Sequence, residues 1–240
     1  MMKIKRLETK LLLAGIIVFT AIFFTILTGT HAAATANQEE IEKMRENYTE
    51  LGIDKETGEK LIQKVLNGEL LDSQKPEKLK GKKLTVDIKD KKGNYVEFDD
   101  GSRILLTFEE EKASEITALS ASSASAGTVS NRSCGSGSGY TYCDVTARYQ
   151  DMVWDIKFDA KVTKVSGGQA KISDVVNNKA NLVLYSILSK QFGVVKARSD
   201  DKGPAKTRWQ FQISHKDGSN SITRNLALYA DSKSTYARLE

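Results

Sequence analysis

Two cysteines, Cys134 and Cys143, stand nine positions apart in the stretch Cys-Gly-Ser-Gly-Ser-Gly-Tyr-Thr-Tyr-Cys. With an N-terminus that reads as an export signal, they are expected to form one disulfide, the glycines letting the segment turn back on itself. A redox pair would be spaced C-x-x-C, and a zinc site needs about four ligands. Beyond residue 36 only His215 stands beside the cysteines as a soft ligand, so no metal and no cofactor is expected. Gly135, Gly137 and Gly139 do not make a dinucleotide fingerprint, because Tyr140 holds the place of the third glycine. No Gly-Lys-Ser/Thr follows them.

Nucleophilic catalysis through a Ser-His-Asp or Cys-His set would have to use His215. It sits beside the turn-like Ser214-His-Lys-Asp-Gly and is expected to be solvated, so no catalytic residue is assigned. Asp144, Asp151, Asp155 and Asp159 fall on neighbouring strand positions. Two of them could serve as the acid and base of a glycosidase, but a strand's wet face asks for the same residues. Asp200-Asp201 lacks a calcium-loop array. Lys196, Arg198, Lys206 and Arg208, with Trp209 beside them, offer a basic binding face. The plainer reading makes them the wet sides of two strands.

Lys3, Lys5, Arg6 and Lys10 precede an apolar run from Leu11 to Leu27, then small residues ending in Ala34-Thr35-Ala36. That is the order of a secretory signal peptide, expected over 1–36 and cleaved before Asn37. An uncleaved anchor is the alternative, the apolar run being at the lower limit for a bilayer. The formal charge of +5 owes much to these first residues. Behind them the chain is net acidic to residue 111 and net basic afterwards, so the halves attract each other or the basic one faces an anionic surface.

Ile41, Met44, Tyr48 and Leu51 repeat at three and four, and Asp54 can cap a second helix ending at Gly68. From Leu84 the period becomes two, with Asp100-Gly101 as a type I′ hairpin signal before Ile104, Leu106 and Phe108. The stretch Leu51-Gly-Ile-Asp-Lys-Glu-Thr-Gly-Glu-Lys-Leu-Ile-Gln-Lys-Val-Leu-Asn-Gly-Glu-Leu-Leu-Asp-Ser-Gln-Lys-Pro76, with the Asp100-Gly101-Ser102 hairpin, resembles the N-terminal region of small uncharacterised secreted proteins of Gram-positive bacteria. The resemblance covers residues 40–110; it implies export and carries over no catalytic residue.

Ala113 to Ser133 is rich in Ala and Ser and reads as a linker. After it, Val145, Ala147 and Tyr149, then Met152, Trp154, Ile156, Phe158, Ala160 and Val162, alternate with polar residues. The phase changes at Gln150-Asp151, as a turn or bulge would make it. Leu182 to Leu188 reads as a buried strand or short helix, and Ala205 to Ile213 alternates cleanly. The expected fold is α+β. After the signal peptide, an N-terminal module over 37–112 (helical hairpin plus β-hairpin) is joined by the linker 113–133 to an antiparallel β-sandwich over 134–240 with one disulfide. The expected function is a non-enzymatic, secreted or cell-envelope binding module. Its partner would be anionic cell-wall polymer, the membrane surface or another envelope protein, not nucleic acid. The alternatives are a secreted glycan hydrolase using strand carboxylates, or a secreted toxin-like factor.

Overall fold

The 3.6-residue period becomes helix and the two-residue period becomes strand in the computed structural model, which describes residues 36–108 and 134–240. Helix α1 spans Gln38–Glu50 and α2 spans Lys55–Leu66. The Asn37 side chain accepts from the Glu40 amide at 2.8 Å while the Glu40 carboxylate accepts from the Asn37 amide at 3.1 Å, a reciprocal cap. Asp54 caps α2 through the Thr57 amide at 3.0 Å. Gly52 and Gly68 end the two helices with φ of 67° and 75°, so the expected helical hairpin is present. A 3-10 turn at Asp72–Gln74 and a one-turn helix α3 at Pro76–Leu79 follow.

Eleven strands are described: β1 Thr85–Asp87, β2 Asn94–Glu97, β3 Arg103–Phe108, β4 Cys134–Gly137, β5 Tyr140–Gln150 and β6 Trp154–Val165. Then come β7 Ala170–Leu182, β8 Tyr185–Lys196, β9 Ala205–His215, β10 Ser221–Ala230 and β11 Thr235–Leu239. They form two antiparallel sheets. One is ordered β1-β11-β10-β9-β8 and the other β2-β3-β5-β6-β7, with β4 paired to the far half of β5.

This pairing corrects the expected division into modules 37–112 and 134–240. Strand β3 pairs with β5, setting Leu106 opposite Tyr149, and β1 pairs with β11, setting Val86 opposite Ala237. Each half completes a sheet of the other, and all described residues belong to one compact unit. The expected signal peptide (apart from Ala36) and the linker 113–133 lie outside the described residues. No helix among the described residues is long and apolar enough to cross a membrane.

Three local expectations also change. A type I′ turn needs positive φ at both central residues, and only Gly101 has it, at 81°. Phe98 and Ser102 instead close a longer loop with a glycine bulge, the Phe98 amide donating to the Ser102 carbonyl at 3.0 Å. Asp100 is thereby free to accept from the Ser102 amide (3.0 Å), the Asp72 amide (2.9 Å) and Lys64 (2.7 Å), tying the hairpin to α2. The run from Leu182 to Leu188 is not one strand: Leu182 ends β7, Val183 and Leu184 turn a corner, and Tyr185 begins β8. Leu184 holds φ at 62°, a conformation that costs roughly 1–2 kcal/mol for a side chain with Cβ, offset by its burial. Arg198 lies past the end of β8, where it bridges to Lys171.

Aromatic rings join the sheets. Trp154 of β6 meets Tyr185 of β8 edge-on at 5.4 Å, and Phe158 meets Phe192 at 5.6 Å. Phe192 in turn meets Trp209 of β9 at 6.0 Å. Helix α1 caps the turn between β5 and β6, where the Asn47 amide donates to the Met152 carbonyl at 2.8 Å.

Candidate functional site

The cysteine stretch is a β-ribbon. Cys134 and Cys143 are opposite one another across β4 and β5 and are disulfide-bonded. Only Gly139, at φ 78°, serves the turn. Gly135 and Gly137 sit inside β4 opposite Tyr142 and Tyr140, which corrects the reading of them as turn residues. A Cβ on Gly135 would lie 2.5 Å from the Tyr142 hydroxyl oxygen, and one on Gly137 would lie 2.4 Å from the Tyr140 ring. The rings therefore occupy the space a side chain would fill, as aromatic residues do over cross-strand glycines.

The result is an exposed pair of rings. Tyr140 and Tyr142 are 43% and 36% exposed, with centroids 6.5 Å apart and planes 32° from parallel. On the same face of the sheet, Thr163 and Val165 of β6 lie opposite Tyr142 and Tyr140. Lys171 of β7 lies opposite Thr163. Farther along, Lys161 lies 3.6 Å from both Asp144 and Asp174. Two fixed rings among hydroxyl, amine and carboxylate groups can stack on flat ligands and hydrogen-bond their edges. The disulfide holds the ribbon that carries the rings. Reduction, or Cys143→Ser, is expected to lower stability by about 2–3 kcal/mol without abolishing the fold, because the loop is short and the sheets bury the core. Urea unfolding of oxidised and reduced protein measures this. A metal released by chelator, or two free thiols in protein exported to an oxidising compartment, would contradict the assignment.

The expected basic face is only partly assembled. Lys206 and Arg208 lie on the outer side of β9, and Lys196 is opposite Lys206. Lys196 pairs with Asp200, and Lys206 with Glu240 at 3.1 Å, so two of the four charges are already matched. Trp209 leaves the set altogether: it is 1% exposed and faces the core, as its alternate position dictates.

The strand carboxylates do not converge as a free pair. Asp155 pairs with Arg148 at 2.7 Å, and Asp159 accepts from the Thr146 hydroxyl at 2.6 Å and the Asn177 amide at 2.8 Å. Asp151 is fully buried, accepting from the Val153 and Trp154 amides at 2.8 Å and from the Tyr149 hydroxyl at 2.9 Å. Burial pushes its carboxyl up to about 6 against those hydrogen bonds. His215, expected in solvent, is buried against the Tyr185 ring at 5.0 Å, with Nδ1 2.6 Å from Asp217 Oδ1. Burial alone would raise the Asp217 carboxyl, but hydrogen bonds from Ser219 and the contact with His215 outweigh it and bring it down to about 2. Among the described residues no group of three or more His, Cys, Asp or Glu could hold a metal ion.

The tyrosine pair was not singled out from the sequence, although its signal was present. Gly-Ser-Gly and Tyr-Thr-Tyr mirror one another across Ser138-Gly139, which in a hairpin sets each tyrosine over a glycine. No family model matches the chain, and no curated protein does. Among solved structures, a hypothetical protein from Listeria monocytogenes EGD-e is 12% identical. The match covers 62% of this chain and 98% of that one, with a TM-score of 0.32.

Proposed function

We propose that this is an exported, non-enzymatic binding module of the cell envelope. On this reading the two sheets make a β-sandwich, and its disulfide-closed ribbon stacks the sugar rings of an envelope glycan on Tyr140 and Tyr142. The observation that carries the reading is the exposed, glycine-backed ring pair. A surface tyrosine held flat over a glycine is already ordered, so ligand stacking on it costs little further side-chain entropy. The neighbouring Thr163, Lys171 and Asp144 suit a hydroxyl-rich ligand better than a bilayer, which would call for more apolar neighbours than Val165 alone. The signal-like N-terminus and the oxidised cysteine pair support export, and export argues against nucleic acid. The engagement of Asp155 and Asp159 within the strands favours binding over hydrolysis.

Cosedimentation with purified cell walls tests the proposal. Tyr140→Ala and Tyr142→Ala are each expected to weaken binding about five- to tenfold, from roughly 1 kcal/mol per stacked ring. Gly135→Ala, which keeps both tyrosines but displaces a ring, should act in the same direction. Unchanged binding in the double tyrosine variant overturns the proposed site. Release of soluble fragments by the unaltered protein would restore the hydrolase reading.

A further inference from the structure

A second site, of different chemistry, lies where the segment after α3 crosses the end of the β1-β11-β10 edge. A cavity of about 460 Å³ is lined there by Lys80, Lys82, Lys83, Arg224 and Arg238, with Glu240 as the one acidic neighbour. Glu240 is already engaged by Lys206 at 3.1 Å and by the Tyr229 hydroxyl. Lys82 turns toward the Glu97 carbonyl (3.3 Å) and the Phe98 ring, whereas Lys80 and Lys83 have no ion-pair partner among the described residues. Arg238 lies against the rings of Tyr229 and Tyr236, which fix it without neutralising it.

Arg224 is the decisive residue. It stands on the inner face of β10, in phase with Leu226 and Leu228, and is 4% exposed. Its guanidinium donates to the carbonyls of Thr223 (3.0 Å) and Gln74, and Nε has no acceptor. Among the described residues no carboxylate comes within ion-pair distance of it. Desolvating a guanidinium costs several kcal/mol, and carbonyl dipoles offset only part of that. Burial accordingly holds its pKa below the usual arginine value, with Tyr149, Asp151 and Glu77 opposing the effect only through space. A buried cation with no ion-pair partner, lining the same cavity as Lys80 and Lys83, is complementary to an anion. Leu79 and Leu84 on the wall lower the local dielectric and strengthen that attraction.

We propose that this cavity binds the phosphate group of a small phosphate ester or lipid headgroup, with Arg224 at its floor and Lys80, Lys83 and Arg238 around it. The volume suits one small ligand, and arginine is the side chain best matched to phosphate. The site is separate from the tyrosine ribbon, so its failure leaves the glycan proposal standing. Isothermal titration with inorganic phosphate at constant ionic strength, with chloride as the control, tests it on the whole chain. Phosphate is expected to bind and chloride not to. Arg224→Gln and the double variant Lys80→Gln/Lys83→Gln should each weaken binding at least tenfold, and the exposed lysines guard against a folding defect in the first. Lys60→Gln, on the exposed face of α2, should leave it unchanged. Binding to phosphatidylglycerol vesicles that inorganic phosphate displaces, and that the lysine variant loses, identifies the source as a headgroup. No binding of either probe, or equal binding by the lysine variant, overturns the proposal.

Discussion

A fragment carrying only residues 134–240 is expected not to fold cooperatively. Without β3, strand β5 loses its partner from Ala147 to Gln150, and without β1, strand β11 loses its outer neighbour. The fragment also loses Ile104, Leu106 and Phe108, each no more than 2% exposed. At roughly 1.5–3 kcal/mol per buried side chain, these three match a large part of an ordinary domain's net stability. The uncovered edge of β5 then becomes a site for aggregation. Circular dichroism should show no sharp thermal transition for the fragment alone, and adding a fragment of residues 37–108 should restore one. A cooperative transition in the isolated 134–240 fragment would show that the two halves are separable after all.

The sequence announced strands better than it announced their partners. Strands β6 and β9 were legible because each buries one face, so apolar and polar residues alternate without a break through Trp154–Val162 and Ala205–Ile213. The helical hairpin was legible from Asp54 and the two glycines, since caps act within three or four residues. Pairing of β1 with β11 leaves no local trace, because the partners stand some 150 positions apart and neither strand's pattern names the other. The Leu182–Leu188 run hid its turn because Val183 and Leu184 are buried in the corner itself. His215 and Asp151 misled for a related reason: a polar residue beside a turn is usually wet, and here α1, the 3-10 turn and the corner cover that end of the sheets. Of the candidate sites, the cysteine pair was legible from its spacing and from the glycines between the two residues. Arg224 needed only the alternation of Ile222, Leu226 and Leu228 extended through it, which places a cation on the dry face.

Stability is expected to fall as pH rises from about 4 to about 7 through the titration of Asp151. The carboxyl is 0% exposed and lifted from 3.8 to about 6, so the folded protein holds its proton more tightly than the unfolded chain does. The stabilisation is therefore fully present below the unfolded value and is lost as pH rises through the folded one. A displacement of this size corresponds to about 3 kcal/mol, taken to order of magnitude. Carboxylates held low, such as Asp217 at about 2, act in the opposite sense and below pH 4, where they lose their contribution as pH falls. The two effects thus fall in separate windows. Asp151→Asn isolates the first, because an amide can still accept from the Val153 and Trp154 amides but does not titrate. Altered hydrogen bonding in that variant shifts its stability by a constant, so the informative quantity is the slope. Plotted against pH, the unfolding free energy of the unaltered protein minus that of Asp151→Asn should decline by about 3 kcal/mol across the window. A flat difference would mean that the three hydrogen bonds and the field of Arg224 hold the buried carboxylate ionised throughout, and that burial does not govern this site.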